Sequence, residues 1–142
     1  MRWFAFAALP LLAVVFAGCE SNEGSACGEA EAGVTTLTVH LGTNADGSMY
    51  MTPSGLQAAQ GAKVRFQVVN DDAKVFHDFA VLNLLGDGKN LEHEVDGGAT
   101  VCTTHEGKPY VVLDKRGSFT VVCEVSGHKE LGMKMKDGFK VV

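Results

Sequence analysis

The sequence predicts an all-β fold, an antiparallel β-sandwich, from three observations. Short runs of alternating apolar and polar residues recur along the chain, which is the period-two pattern of half-buried strands. Turn-forming Gly, Asn and Asp separate these runs, and the 142 residues include 17 glycines. Beyond the N-terminal leader, no long stretch has the apolar spacing of a helix. Many short strands separated by turn signals are typical of a sandwich.

The first residues resemble a bacterial export signal rather than a membrane-spanning helix. Arg2 supplies a positive start, and the apolar run from Trp3 to Ala17 is shorter than the roughly 20 residues that span a bilayer. The run leads into Gly18-Cys19, which resembles a lipoprotein signal whose cysteine is lipidated after cleavage. The alternative is an ordinary signal peptide cleaved nearby, with Cys19 incidental. We expect residues 1–18 to be a signal peptide and Cys19 to anchor the chain in the bacterial cell envelope, facing the periplasm or the exterior.

The next segment, residues 19–33, has the composition of a linker. Residues 20–33 consist largely of Glu, Ser, Asn, Gly and Ala and show no apolar periodicity. The sequence therefore predicts a flexible tether there and one folded domain over residues 34–142.

Six strands are predicted within the domain. In Lys63–Val69, for example, Val64, Phe66 and Val68 alternate with polar residues and should point inward. The short run Met49 to Met51 reads as a strand edge, and Gly55–Gln60 could form a single turn of helix. The predicted strands are Val34–Leu41, Lys63–Val69, Phe76–Leu82, Tyr110–Leu113, Ser118–Cys123 and Gly138–Val142.

The net charge argues against one class of partner. The formal charge is −5 at pH 7, and no basic cluster interrupts the sequence. Proteins that bind nucleic acid through the phosphates carry such clusters, so this class of function is excluded.

The residues that carry chemistry lie near the C-terminus. Cys123, His128 and Met133 are spaced C-x4-H-x4-M, and His77 lies upstream between two aromatic residues. One thiolate, two imidazoles and one thioether are the ligands of a blue-copper centre, in which two His and one Cys form a near-trigonal plane and Met binds weakly along the axis. Because Cys123 ends a predicted strand, one loop delivers three of these groups and His77 comes from a separate strand.

Several alternatives compete with this interpretation. Met135 lies two residues beyond Met133 and is a second candidate for the axial position, although Gly132-Met133 fits better. A structural zinc site would not be expected to include Met. Cys123 with His128 as base could form a nucleophilic pair, but no oxyanion motif accompanies it. The remaining histidines, which are read as ordinary polar side chains, are His40, His93 and His105.

Two further cysteines are left once Cys19 and Cys123 have been given roles. In an oxidising compartment Cys27 and Cys102 could form a disulfide that attaches the tether to the domain. The alternative is two free thiols.

The chain resembles the cupredoxins, the blue-copper family of plastocyanin, azurin, auracyanin and sulfocyanin. The similar pieces are Gln60–Phe66, Asn70 with Phe76–Phe79, and above all Phe119–Met133. The resemblance implies a Greek-key β-sandwich that holds one type 1 copper through His77, Cys123, His128 and Met133. It also implies electron exchange through the edge of the His128 ring.

One departure from the family pattern lies beside the first histidine. Many relatives have Asn after that histidine, where its side chain ties the two ligand loops together, but this chain has Asp78. Asp78 could still accept a hydrogen bond from the Cys123 loop, for example from Ser126, and would alter the polarity of the site.

These observations predict a membrane-tethered electron carrier that shuttles between a redox-protein donor and acceptor. No enzymatic activity is expected, because the His-x-His motifs that advertise a second copper site are absent from the sequence. The alternative function is a periplasmic copper-delivery or storage protein, which would usually lack the thiolate of Cys123. The oligomeric state is left open by the sequence, with a monomer expected.

Overall fold

The described part of the chain, residues 27–29 and 31–142 of a computed structural model, contains ten β-strands and no α-helix. The predicted all-β class is therefore confirmed. The strands are β1 (Val34–Thr43), β2 (Met49–Thr52), β3 (Leu56–Ala58), β4 (Lys63–Asn70), β5 (His77–Gly86), β6 (Lys89–Val95), β7 (Thr100–Cys102), β8 (Val111–Val112), β9 (Gly117–Val122) and β10 (Lys134–Val141).

The strands form two five-stranded sheets. The first has the order β2-β1-β4-β7, with β8 also paired to β4, and the second has the order β3-β10-β9-β5-β6. The predicted sandwich is confirmed, but its pairing is mixed rather than purely antiparallel, since β1 is parallel to β4 and β3 is parallel to β10. Alternating apolar residues identify the buried face of a strand and not the direction of its neighbour. Here the chain leaves the first sheet to form β3 and re-enters it as β4, which supplies the crossover that parallel strands need.

Three phenylalanines from facing sheets form the centre of the core. The ring of Phe66 on β4 lies 5.2 Å from that of Phe79 on β5 and 5.3 Å from that of Phe139 on β10, measured between centroids. All three are fully buried, as are Val64 and Val68 beside Phe66. The predicted inward face of this strand is thus confirmed. Full burial of each such ring contributes roughly 1.5–3 kcal/mol of apolar stabilisation.

All six predicted strands are present, with ends that differ by a few residues, and Met49–Thr52 is an edge strand as expected. The helical turn predicted for Gly55–Gln60 is wrong, because Leu56–Ala58 pairs with Phe139–Val141 as β3. Strands β6 and β7 were not predicted. The edge strand β6 buries only Leu91 and Val95 and is otherwise polar, so its apolar pattern is too sparse to stand out.

A disulfide joins Cys27 to Cys102 on β7, with 5.2 Å between their Cα atoms, and confirms the predicted pair. The attached segment also covers Arg65, which is 5% exposed on β4. Arg65 donates hydrogen bonds to the carbonyls of Cys27 and Gly28 and to Oγ1 of Thr36, at 2.8, 3.1 and 2.8 Å. A buried guanidinium requires acceptors of this kind, so the carbonyls of this segment stabilise Arg65 in its buried position on β4.

The signal peptide predicted for residues 1–18, the lipidated Cys19 and most of the predicted tether lie outside the described residues. Among residues 27–29 and 31–142, no helix is present that has the length and apolarity to cross a bilayer.

Candidate metal centre

The candidate site lies where two neighbouring strands of the second sheet begin and end. His77 is the first residue of β5, and Cys123 directly follows the last residue of β9. These strands are antiparallel, with Ala80 opposite Val122, so the start of one lies beside the end of the other. The sheet register therefore brings His77 and Cys123 together although they are distant in sequence.

Three donor atoms converge there. Nδ1 of His77 lies 3.2 Å from Nδ1 of His128, which lies 3.4 Å from Sγ of Cys123. All three atoms lie within 4.8 Å of one another, a spacing that suits one shared ion rather than two. His77 and Cys123 are fully buried, whereas His128 is partly exposed. The structure thus brings together three of the four sequence-predicted ligands.

The fourth candidate, Met133, is also fully buried and closes the same loop. The amide of Cys123 donates to the carbonyl of Met133, and the amide of Met133 donates to the carbonyl of His128, each at 3.0 Å. Met135 is only partly buried and lies on β10 opposite Val121. The backbone of Met133 therefore belongs to the site. The preference for the side chain of Met133 over that of Met135 as axial ligand stays a prediction.

The loop between Cys123 and Met133 bends at two glycines with positive φ, Gly127 at 85° and Gly132 at 122°. At Gly132 a Cβ atom would collide with the carbonyl oxygen of Met49 on β2. One residue earlier, the carbonyl of Leu131 accepts a 2.7 Å hydrogen bond from the amide of Met49. The loop is therefore attached to the opposite sheet, and the attachment requires glycine.

The second ring nitrogen of His77 is bound by a carboxylate that the sequence did not single out. Oδ2 of Asp72 lies 2.8 Å from Nε2 of His77 and accepts a 2.7 Å hydrogen bond from the hydroxyl of Thr43. Burial disfavours the charged form of Asp72, but the bonds from His77 and Thr43 outweigh it and lower the pKa of this carboxyl. An ionised carboxylate only accepts, so Nε2 of His77 carries a proton in this contact, and Nδ1 is the ring nitrogen that faces His128.

Asn70 fixes the segment between β4 and β5 that carries Asp72. Its buried amide nitrogen lies 2.8, 3.1 and 3.0 Å from the carbonyl oxygens of Val75, Val95 and Asp96. Its Oδ1 accepts a 3.0 Å bond from the amide of Asp72. The loop before His77 is thus ordered by one side chain that reaches both its ends.

Burial determines the protonation of the other two donor groups, Cys123 and His128. Burial raises the pKa of the Cys123 thiol above its ordinary value, while amide donors such as Asp78 N–H, 3.2 Å from the sulfur, act in the opposite direction. Burial, followed by the neighbouring His77, lowers the pKa of His128. Without a metal the site therefore favours a neutral thiol and a neutral His128 imidazole, and a bound cation would displace the thiol proton.

Asp78 joins the two ligand segments through its backbone, because its amide donates a 3.2 Å hydrogen bond to Sγ of Cys123. Burial raises the pKa of the Asp78 carboxyl, and the nearby backbone amide of Glu124 offsets part of the rise. A hydrogen bond from the Cys123 loop to this carboxyl, such as one from Ser126, stays a prediction.

The other histidines form separate contacts. Nδ1 of His40 lies 3.2 Å from both carboxylate oxygens of Asp71, and Nε2 of His93 accepts a 3.0 Å bond from the amide of Thr104. His105 lies beside the carboxylate of Glu106 at 3.8 Å. Within the described ranges, one cluster has three His, Cys, Asp or Glu side chains close enough to share an ion. It consists of His77, Cys123 and His128.

The residues present fit one type 1 copper ion. Two imidazole nitrogens and one sulfur converge in the combination that a blue-copper site uses, and His77 has the outer carboxylate partner common for metal-binding histidines. Asp72 and Thr43 are the functional candidates that sequence reasoning missed. In the sequence, the signal for Asp72 was its position shortly before His77. Its hydrogen bond with Thr43 could not be predicted, because Thr43 lies 29 residues earlier in the chain.

Comparison with known proteins identifies the fold. No protein-family profile matches the chain, and no curated protein matches it by sequence. Auracyanin B has a TM-score of 0.59 and 18% identity over 80% of this chain and 91% of that one. Auracyanin A, a "blue" copper protein from the green thermophilic photosynthetic bacterium Chloroflexus aurantiacus, has a TM-score of 0.54 and 18% identity over 76% of this chain and 100% of that one.

A multicopper oxidase is also similar, with a TM-score of 0.57 and 14% identity over 81% of this chain but only 46% of the oxidase. These similarities show that the described domain has the cupredoxin fold, as the sequence resemblance implied.

Proposed function

We propose that this protein is a type 1 copper electron carrier, tethered to a membrane through Cys19 and exchanging electrons with extracytoplasmic redox proteins. The observation that carries the proposal is the convergence of Nδ1 of His77, Sγ of Cys123 and Nδ1 of His128 within 4.8 Å at one end of the sandwich. The proposed ligands are these three residues with Met133 along the axis. A copper ion held there would supply a one-electron couple whose two oxidation states share one ligand set.

The protein's contribution is to hold its donor atoms still. His77 and Cys123 are fully buried, and each receives a hydrogen bond or carboxylate contact from a neighbouring segment. A donor set fixed in this way would change little between oxidation states, which favours rapid electron exchange rather than bond-making chemistry. We therefore propose a carrier and not an enzyme.

The proposed route for electrons is the partly exposed ring of His128. Leu131 in the same loop is 46% exposed and Phe76 beside His77 is 40% exposed, so apolar surface flanks the site. Brief redox encounters bury little surface, typically below about 1,200 Å² in total. Two exposed apolar side chains next to proposed ligand segments are compatible with that kind of docking.

Reconstitution with Cu(II) tests the carrier proposal. The full chain, purified in detergent, should bind one copper and develop an intense visible thiolate absorption with a narrow copper splitting in EPR. Cys123→Ser should remove that absorption. A pale spectrum with ordinary splitting in the unaltered protein would favour copper delivery or storage instead.

The axial assignment has a matched pair of variants. Met133→Leu should change the absorption and the EPR parameters, whereas Met135→Leu should leave both almost unchanged. The reverse result would move the axial role to Met135.

The membrane anchor needs a separate test. In a bacterial host the full chain should fractionate with membranes and incorporate a labelled fatty acid, and Cys19→Ser should abolish both. Unchanged membrane association of Cys19→Ser would refute the lipid anchor without affecting the copper proposal.

A further inference from the structure

We propose that Asp72 is a positioning residue that keeps the proton of His77 on Nε2 and lowers the reduction potential of the centre. The inference rests on the proposed function, since it concerns the same site. Its basis is the 2.8 Å contact between Oδ2 of Asp72 and Nε2 of His77, on the side of the ring away from Cys123 and His128. A second consequence is that Thr43, although on another strand, belongs to the outer part of the site.

Every hydrogen-bonding group that faces the Asp72 side chain is a donor and requires an acceptor atom from it. Its Oδ1 accepts a 3.1 Å bond from the amide of Thr43, and its Oδ2 accepts from the Thr43 hydroxyl at 2.7 Å as well as from His77. Three donors thus face two oxygens. A carboxylate satisfies all three, whereas an amide would turn its NH₂ group toward at least one donor.

The backbone of Asp72 is held as firmly as its side chain. Its amide donates to Oδ1 of Asn70 at 3.0 Å, and its carbonyl accepts from the amide of Gly98 at 2.7 Å. With both ends and the carboxylate fixed, Asp72 has no freedom to turn away from the ring. His77 is consequently restricted to the orientation and tautomer in which Nδ1 points to the site.

Solvent screens the negative charge of Asp72 only weakly from the His77 ring. The side chain of His77 is 0% exposed and that of Asp72 is 16% exposed, so little water lies between them. A negative charge bonded to the ring N–H increases the basicity of Nδ1 and favours the more positive oxidation state of a bound ion. It therefore favours Cu(II) over Cu(I), which is a lower potential.

The neighbouring Asp71 provides a matched control. Its carboxylate has the same charge and lies one residue away, but it contacts His40 and Tyr50 instead of His77. Its side chain is 39% exposed, so its field is screened by solvent. Neutralising each carboxylate separately distinguishes the hydrogen bond to His77 from a general effect of one negative charge.

The experiment compares Asp72→Asn and Asp71→Asn in the copper-loaded full chain, with potentials from redox titration of the visible absorption. Asp72→Asn should weaken Cu(II) binding by about 10–100-fold, the range for loss of an outer partner of a ligand. With Cu(I) binding unchanged, this corresponds to a rise of about 59–118 mV for a one-electron couple. Asp71→Asn should shift the potential far less. Equal shifts in the two variants, or no shift in Asp72→Asn, would overturn the inference.

An independent measurement does not depend on the variants folding. In the diamagnetic Cu(I) form of the unaltered protein, the Nε2 proton of His77 should give a slowly exchanging nitrogen-coupled NMR resonance. If this ring proton exchanges at the rate of a solvated imidazole, the hydrogen bond is refuted. Failure of the unaltered protein to become blue would instead refute the proposed function, so the two failures are distinguishable.

Discussion

The two halves of the candidate site are built in different ways. The upstream half, residues 70–77, is ordered by buried side-chain contacts, in which Asn70 binds three carbonyls and Asp72 binds the far nitrogen of His77. The downstream half, the loop of residues 124–132, is mostly exposed and depends on backbone bonds and glycine turns. In the part of the chain that the structure describes, no hydrogen bond to Nε2 of His128 is present.

This difference would separate two tasks that the proposed carrier must combine. A ring held at both nitrogens, like His77, would keep the coordination geometry constant. A ring held at one nitrogen and partly open to solvent, like His128, would leave an edge from which a partner could take or give an electron. We expect the two histidines to respond differently to substitution even though both are proposed ligands.

The largest contrast between the two halves of the site is expected from substitutions that remove the imidazole ring of His77 or of His128. His77→Gly and His128→Gly should each weaken Cu(II) binding more than loss of an outer partner does, by more than about 100-fold. Added imidazole should restore the blue absorption in His128→Gly, because the vacated position is open to solvent. The fully buried position of His77 should not be rescued.

Absorption titrations with imidazole measure this contrast directly. Rescue of both variants to the same extent would show that the two halves of the site are equally accessible and would remove the distinction.

An intermediate effect is expected from the side chain that orders the upstream half. Asn70→Ala leaves buried carbonyls and the amide of Asp72 without their partner, which should cost about 2–4 kcal/mol of unfolding free energy. Denaturant unfolding measures the loss. As a control, Asn44→Ala removes only an exposed hydrogen bond to Ser48 and should cost below about 0.5 kcal/mol. Similar losses in the two variants would contradict the proposed role of Asn70.

The smallest effect is expected at the rim of the upstream half, where the Tyr50 hydroxyl donates a 2.9 Å bond to Asp71. This bond to Asp71, assisted by burial, raises the pKa of Tyr50. Because the folded protein favours the neutral phenol, the contribution is present below about pH 10 and is lost as pH rises through the raised value. Tyr50→Phe should therefore cost only about 0.5–1 kcal/mol near neutral pH.

The pH dependence provides the check on this prediction. Between about pH 8 and pH 11 the unaltered protein should lose more unfolding free energy than Tyr50→Phe does, since only the former has this phenol to ionise. Parallel losses across that range would show that the bond to Asp71 contributes nothing.

The sequence predicted the donor residues because their chemistry is local. Cys123, His128 and Met133 share one loop, and their types limit the metals that they suit. The strand that carries Phe66 could also be predicted from local pattern, because its apolar residues alternate along a strand of eight residues. The structure brings His77, Cys123 and His128 together and contains the strand, while the ligand roles of the four residues stay predictions.

Features that depend on contacts between residues far apart in sequence could not be predicted from local patterns. Asp72 reads as a turn residue until the fold places Thr43 beside it, 29 residues earlier in the chain. The parallel pairing of β1 with β4 and the short strand β3 likewise depend on where the chain crosses between sheets. Nothing in an alternating pattern records that choice.

The contact between Gly132 and the carbonyl of Met49 has a consequence for engineering. Copper loops are natural targets for grafting, in which the segment after the cysteine is exchanged for one of another length. In this protein a grafted segment would have to return a glycine to the place beside the β2 backbone, because any side chain there would push the segment off the opposite sheet. Loop exchange is therefore constrained by a main-chain contact as much as by the spacing of the ligands.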